Sequence, residues 1–88
     1  MIRGTLIIMV WNEDANGYRT SADCFDSLSD ACAYAVANKA KIACGLPAVE
    51  KHYYYYNPTA EIVRHQIEVM EPKEIELIAF NETQRRKW

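Results

Sequence analysis

The thiol and imidazole side chains of this 88-residue chain are its first candidates for metal chemistry. A structural zinc site usually draws on close pairs, with roughly two to four residues between cysteines. Here the available ligands are more widely spaced, and they are Cys24, Cys32, Cys44, His52 and His65. The odd number of cysteines also matches no disulfide framework. We therefore expect free thiols in a reducing compartment, no bound metal and no other cofactor.

Nucleophilic catalysis would require an activated side chain beside a positioned base. Cys24 is the most plausible nucleophile, because it precedes a predicted helix whose N-terminal dipole would favour the thiolate. Asp26 and Asp30 are close to it in sequence and oppose that negative charge. No glycine-rich phosphate loop follows a predicted strand. We therefore expect no catalytic residues and no enzymatic activity.

Two histidines fall on neighbouring strands of a predicted hairpin. If Asn57 and Ala60 close a tight turn, His52 faces His65 on one side of the sheet. Adjacent imidazoles can bind a metal or respond to pH, whereas neutral, hydrogen-bonded histidines at a core margin are the more common arrangement. The sequence favours the second interpretation, since a one-residue slip in register would separate the two rings.

The run of four tyrosines at 53–56 is the strongest indication of a binding surface. Successive residues of a strand alternate between its faces, so Tyr54 is expected in the core against Val63 while its neighbours stand on the uncovered face. Tyrosine and arginine are enriched at protein interfaces. The predicted partner-binding residues on that face are Lys51, Tyr53, Tyr55, Arg64 and Gln66. The alternatives are a purely structural aromatic ladder and a site that stacks unpaired bases.

These side chains are positioned by a predicted α+β fold. β-branched and aromatic runs indicate strands, and the capping residues Asp26 and Ser27 ahead of an alanine-rich stretch indicate a helix. The predicted strands are 5–11, 18–25, 49–56, 62–70 and 75–80, with one helix at 28–43. Short turns favour an antiparallel sheet of four or five strands in the order β-β-α-β-β-β, with the helix packed on one face. The first strand is apolar on both faces, which predicts a central position.

Composition and charge define the class of protein. Half of the residues are hydrophobic and a quarter are charged, as in ordinary globular domains. We expect one domain over 1–81 and a polar, basic C-terminal tail over 82–88. The apolar run near the start is too short for a transmembrane helix and has no signal-peptide cleavage site, so the expected location is cytoplasmic. A net charge of −2 argues against a protein that mainly neutralises phosphates.

Two classes of function fit these residues. The first is a small non-catalytic protein-binding module, such as an inhibitor or adaptor of bacterial or phage type, that also forms a homodimer. The second is a single-stranded nucleic-acid-binding protein that combines exposed tyrosines with Arg64 and Lys51. A surplus of apolar side chains in the first and last predicted strands favours self-association, because one helix covers only one side of a sheet.

Overall fold

The protein has an α+β fold, with four strands and two helices in the part of the chain that the structure describes. The computed structural model describes residues 3–14, 16–38 and 45–86. The elements in chain order are β1 (Arg3–Glu13), β2 (Arg19–Phe25), α1 (Leu28–Ala37), β3 (Val49–Tyr56), β4 (Ile62–Val69) and α2 (Pro72–Arg86). The strands form one antiparallel sheet in the order β2-β1-β3-β4. The predicted fold class and sheet type are confirmed, and β1 has the central position that its two apolar faces predicted.

The last predicted strand, at 75–80, is wrong, because these residues belong to a helix. α2 begins at Pro72, whose fixed φ and missing N–H suit the first position of a helix. The backbone N–H of Ile75 donates to the carbonyl of Glu71 at 3.1 Å, which closes the first helical turn. Buried side chains then recur at helical spacing, at Ile75, Ala79 and Glu82. A short apolar run is compatible with the periodicity of a strand or of a helix, and packing against α1 selects the helix.

The predicted C-terminal tail begins inside α2. Residues 82–86 form the last turns of this helix, and 87–88 lie outside the described residues. Glu82 is buried and pairs with Arg85, and the hydroxyl of Thr83 donates to the carbonyl of Ala79 at 3.0 Å. The observed order of elements is therefore β-β-α-β-β-α.

Helix α1 starts where the capping residues predicted. The hydroxyl oxygen of Ser27 accepts the backbone N–H of Asp30 at 3.4 Å, so Ser27 is the N-cap. The helix ends at Ala37, earlier than the predicted end at 43. Asn38 terminates it, because its backbone N–H and its side-chain amide both donate to the carbonyl of Tyr34. Residues 39–44, where the rest of the predicted helix falls, lie outside the described residues.

The buried hydrophobic side chains form one cluster drawn from the sheet and both helices. Its members are Ile8, Val10, Ala31, Cys32, Ala35, Val49, Met70, Ile75 and Ala79. Val10 pairs with Val49 across β1 and β3, so both share a side of the sheet with Ile8. We call this side the core face. The other side carries Ile7, Met9 and Trp11, which are only partly buried, and we call it the far face.

Asparagine closes the hairpin between β3 and β4. The side-chain oxygen of Asn57 accepts the backbone N–H groups of Thr59 and Glu61 at 3.1 and 2.9 Å. Ala60 adopts a positive φ of 65°, which a loop of this kind requires of one residue. These contacts confirm that a turn beginning at Asn57 joins the two strands of the predicted hairpin, and they hold the strands in a fixed register.

Candidate protein-binding surface

The β3–β4 hairpin brings the five predicted binding residues together. Tyr53 lies opposite Gln66, and Tyr55 lies opposite Arg64. Directly opposed residues of an antiparallel pair project to the same side of the sheet. Lys51 is two residues before Tyr53 and therefore joins them on that side. The hairpin thus presents one mixed aromatic and polar surface.

This surface belongs to the core face, and the prediction that it lies on the uncovered face is wrong. Val49, at the start of β3, is fully buried in the core. Strand alternation then directs Lys51 and Tyr53 to the same side, where they lie opposite Ile8 and Leu6 of β1. The pairing of β3 with the core strand therefore decides which face carries the tyrosines.

The hydrophobic core ends before it reaches the tyrosines. The exposed fraction rises from 1% at Ile8 to 41% at Leu6, two residues earlier on the same face. Tyr53 and Tyr55 are half-buried. The ring of Tyr55 lies beside Gly4, where an added Cβ would meet it at 3.6 Å. This end of the core face is thus an aromatic surface accessible to solvent.

Side-chain contacts hold this surface in place. The guanidinium of Arg64 lies 5.6 Å from the ring centre of Tyr55, in a cation–π contact. The hydroxyl of Tyr53 donates to the Glu68 carboxylate at 3.4 Å, and Lys51 Nζ lies 3.8 Å from the same carboxylate. The charge of Lys51 is thus balanced within the hairpin, which weakens the case for phosphate binding.

Strand β4 is exposed at every one of its eight positions. It is an edge strand, with β3 on one side of it. Its four large aliphatic side chains are 52–63% exposed, and they are Ile62, Val63, Ile67 and Val69. Both faces and the outer backbone edge of this strand are therefore accessible to a partner.

A chain of hydrogen bonds on the far face was only partly anticipated from the sequence. Glu50 and His52 alternate along β3 and are only 7% and 6% exposed. His52 Nε2 lies 3.1 Å from the carboxylate of Glu50, and His52 Nδ1 lies 3.0 Å from His65 Nε2. The signal available in the sequence was the two-residue spacing of Glu50 and His52, which puts both on one face of a strand.

Glu50 is the acceptor at one end of this chain. The indole N–H of Trp11 donates to its carboxylate at 2.7 Å, and Arg19 Nη1 lies 3.5 Å away. Burial alone would raise the pKa of Glu50, but the hydrogen bonds from Trp11 and His52 and the charge of Arg19 outweigh it and hold that pKa below 4.5. Glu50 is therefore an anion at neutral pH that links β1, β2 and β3.

The two imidazoles are in hydrogen-bond contact. Their ring centres are 5.2 Å apart, close to the largest separation that a 3.0 Å contact between nitrogens allows, so the rings lie end to end. His52 Nε2 donates to Glu50, which leaves Nδ1 to accept from His65 when both rings are neutral.

The observed hairpin register differs by two residues from the predicted one. His52 lies opposite Ile67, and His65 lies opposite Tyr54 with the rings stacked at 4.3 Å. The loop is one residue longer than the assumed turn, and Val63 adds an irregularity in β4. Tyr54, predicted in the core against Val63, stands on the far face. The two histidines do contact each other, but diagonally across the ladder and not as a directly opposed pair.

The two described cysteines have different surroundings. Cys24 is an exposed free thiol, opposite Met9 in the β1–β2 pairing. Cys32 is a buried free thiol of α1, and burial, with Glu74 nearby, raises its pKa. Cys32 is therefore held as the unreactive thiol form. Cys44 lies outside the described residues.

No resemblance to a known protein narrows the function. Comparison with protein-family models, with curated proteins and with solved structures finds no match to this chain. Within 3–14, 16–38 and 45–86, no three His, Cys, Asp or Glu side chains are grouped as a metal ion would require. No helix of the described residues is long and apolar enough to cross a membrane. Function must be inferred from the geometry of the sheet.

Proposed function

We propose that this protein is a small, cytoplasmic, non-catalytic protein-binding module, an inhibitor or adaptor of bacterial or phage type. It recognises another protein through the end of the core face, with Lys51, Tyr53, Tyr55, Arg64 and Gln66 as the contact residues. The observation that carries this proposal is the exposure of the β3–β4 hairpin, whose outer strand is exposed throughout. Large exposed apolar surface on a small soluble protein marks an interaction site.

The composition of this surface suits a protein partner. Tyrosine offers a large, rigid contact area at a low cost in conformational entropy, and arginine is enriched at binding hot spots. Arg64 and Glu68 already hold Tyr55 and Tyr53 in place, so little ordering is needed on binding. We infer that the helices cover only the other end of the core face, around Ile8.

The described side chains also support a non-catalytic role. The thiol of Cys32 is buried, and the Glu50–His52 pair is engaged within the sheet. Neither arrangement places a nucleophile beside a base that faces solvent.

Affinity capture of the tagged protein in a bacterial lysate, followed by quantitative mass spectrometry, tests the proposal. The variant Y53A/Y55A should lose a specific partner at least about tenfold, because hot-spot residues typically contribute roughly 2 kcal/mol each. The matched control is Y18A, which removes a tyrosine that is 71% exposed in another part of the molecule. Equal capture of the same proteins by wild type, Y18A and a folded Y53A/Y55A would overturn the proposed site.

A single-stranded nucleic acid is the second candidate, favoured by the contact between Arg64 and Tyr55. Stacking platforms in such proteins combine aromatic rings with nearby cations. The ion pair between Lys51 and Glu68 weighs against it. Affinity for a labelled oligonucleotide should fall steeply between low and moderate salt if this candidate is right, whereas an aromatic protein interface should change little.

A further inference from the structure

The two edge strands of the sheet are protected to different degrees. At the β2 edge the exposed side chains are polar or small, and they are Arg19, Thr20, Ser21, Asp23 and Cys24. The β4 edge exposes four aliphatic side chains, and its two charged residues, Arg64 and Glu68, are of opposite sign. Exposed apolar side chains on an edge strand favour the pairing of another strand there, and charges of opposite sign allow that strand to be a second copy of β4.

The backbone of β4 determines which residues can pair with an incoming strand. The N–H of Met70 donates to the carbonyl of Val49 at 3.0 Å, at the β3 side of the ladder. Hydrogen-bonded pairs alternate along an antiparallel ladder, so 64, 66 and 68 also bond to β3. The N–H and C=O groups of His65, Ile67 and Val69 consequently point outward. A new strand must pair through these residues.

The charges of β4 are complementary to those of a second, antiparallel β4. A two-fold axis through Gln66 places Arg64 of each copy opposite Glu68 of the other, on the core face. Shifting the axis by one residue in either direction removes both ion pairs, because Arg64 then opposes Gln66 or Met70. The charges therefore select one register.

The apolar and backbone groups of β4 fit the same axis. His65 and Ile67, whose backbone groups point outward, become paired with each other. Val69, which lies on the far face, comes opposite position 63, where β4 is irregular, and both valines are more than half exposed in the single chain. An isologous contact of this kind uses one patch twice and closes as a dimer.

We propose that a second copy of this chain docks on the β4 edge, with the two β4 strands paired antiparallel about Gln66. The two four-stranded sheets then become one continuous sheet. This inference rests on the proposed function and deepens it. Tyr53 and Gln66 are opposed across β3 and β4, and the axis brings Gln66 of one copy next to Gln66 of the other. The aromatic partner-binding surfaces of the two copies therefore become continuous on the core face.

Charge reversal tests the register by sedimentation equilibrium at micromolar concentration. R64E and E68R should each weaken dimerisation by about tenfold or more, because symmetry places two like-charged pairs in the interface. An equimolar mixture of the two variants should associate as a heterodimer, since positions 64 and 68 are then both acidic in one copy and both basic in the other. The matched control is K73E, which makes the same change in net charge as R64E on exposed α2 surface and should leave dimerisation unchanged.

A backbone variant tests the edge independently of charge. Ile67→Pro removes an outward-pointing N–H and none of the N–H groups that bond to β3, so it should leave the β3–β4 ladder and the circular dichroism spectrum intact while producing a monomer. Gln66→Pro removes an N–H that bonds to β3 and should destabilise the fold itself. That result would confirm that the backbone groups of β4 alternate between bonding to β3 and pointing outward.

The outcomes separate the dimer from the proposed function. A monomeric wild type, a dimer indifferent to R64E and I67P, or a variant mixture that fails to associate would overturn the dimer about Gln66. The capture experiment with Y53A/Y55A and Y18A uses different residues. A monomer that still captures its partner through the tyrosines contradicts the dimer alone, whereas a confirmed dimer without tyrosine-dependent capture contradicts the proposed function alone.

Discussion

At the scale of single residues, the far face is organised around one carboxylate. Glu50 receives hydrogen bonds from Trp11 and His52 and lies beside Arg19, so strands distant in sequence converge on it. A buried carboxylate costs free energy unless its lone pairs are satisfied, and here they are. Its pKa lies below its ordinary value as a result, which links stability to pH.

Glu50→Gln should lower the free energy of unfolding at pH 7 by about 1–3 kcal/mol, because the charged hydrogen bonds are lost. The pKa of Glu50 is lower in the folded chain than its ordinary 4.5, so its stabilising effect is present above pH 4.5 and is lost as the pH falls through the folded pKa. Urea unfolding should therefore show that the free energy of unfolding falls less between pH 7 and pH 3 for E50Q than for wild type. Glu71→Gln, at an exposed carboxylate, is the control.

The two described thiols should react at very different rates in the native state. Cys24 is exposed, whereas Cys32 is buried with a raised pKa, so a maleimide should label Cys24 first. Peptide mapping by mass spectrometry reads each site separately. Under denaturing conditions without reductant all three cysteines should label, and a cysteine that labels only after reduction would contradict the prediction of free thiols.

At the scale of elements, the helices differ in how their ends and faces are specified. Helix α1 is begun by a local contact, in which Ser27 accepts the N–H of Asp30. Helix α2 is specified by its buried face, because Ile75 and Ala79 complete the core cluster against α1. A cap can be recognised from adjacent residues, whereas a buried face depends on what packs against it.

Removing the side chain that caps α1 should lower stability, and the effect should be larger at Ser27 than at Asp26. Ser27→Ala should lower the free energy of unfolding by about 1 kcal/mol, since it leaves the N–H of Asp30 without its acceptor. Asp26→Ala is the neighbouring control and should have the smaller effect, because the side chain of Ser27 is the cap. A larger effect at Asp26 in chemical denaturation would contradict the observed cap.

Two substitutions distinguish helix from strand at 75–80. Ile75→Ala should cost roughly 2–5 kcal/mol, because a side chain that is 1% exposed leaves a cavity in the core. Leu77→Ala should cost about 0.5 kcal/mol or less, since its side chain is 60% exposed. In a strand these residues would share a face and respond alike, so similar losses in thermal unfolding would restore the strand assignment.

At the scale of the whole molecule, the chain is thin and spread out. Its extents are 43 × 39 × 17 Å and its radius of gyration is 14.8 Å, whereas a compact domain of this length has a radius of gyration of about 12 Å. The spreading comes from the sheet, whose β4 edge is exposed on both faces. Such a shape leaves surface for a second copy to cover, which is the physical basis of the proposed dimer.

A dimer makes thermal stability depend on protein concentration. The midpoint of unfolding should rise as the concentration of wild type increases, because association stabilises only the folded state. I67P should show a midpoint that is independent of concentration. A wild-type midpoint that stays constant over a hundredfold range of concentration would contradict folded-state association.

The sequence by itself determined the features that depend on neighbouring residues. β-branched and aromatic runs located four strands, the cap located the start of α1, and Asn57 located the hairpin turn. It also grouped the five binding residues on one face. That grouping survived an error of two residues in register, because the side chains of a strand alternate with period two.

Tertiary structure decided the features that depend on distant partners. The run at 75–80 fits a strand or a helix until α1 packs against it. The face that carries Tyr53 is fixed by the burial of Val49 against Val10, far away in sequence. The role of Glu50 arises from Trp11 and Arg19, which reach it only when three strands pair. In each case the free energy comes from contacts between remote residues, which local sequence patterns do not contain.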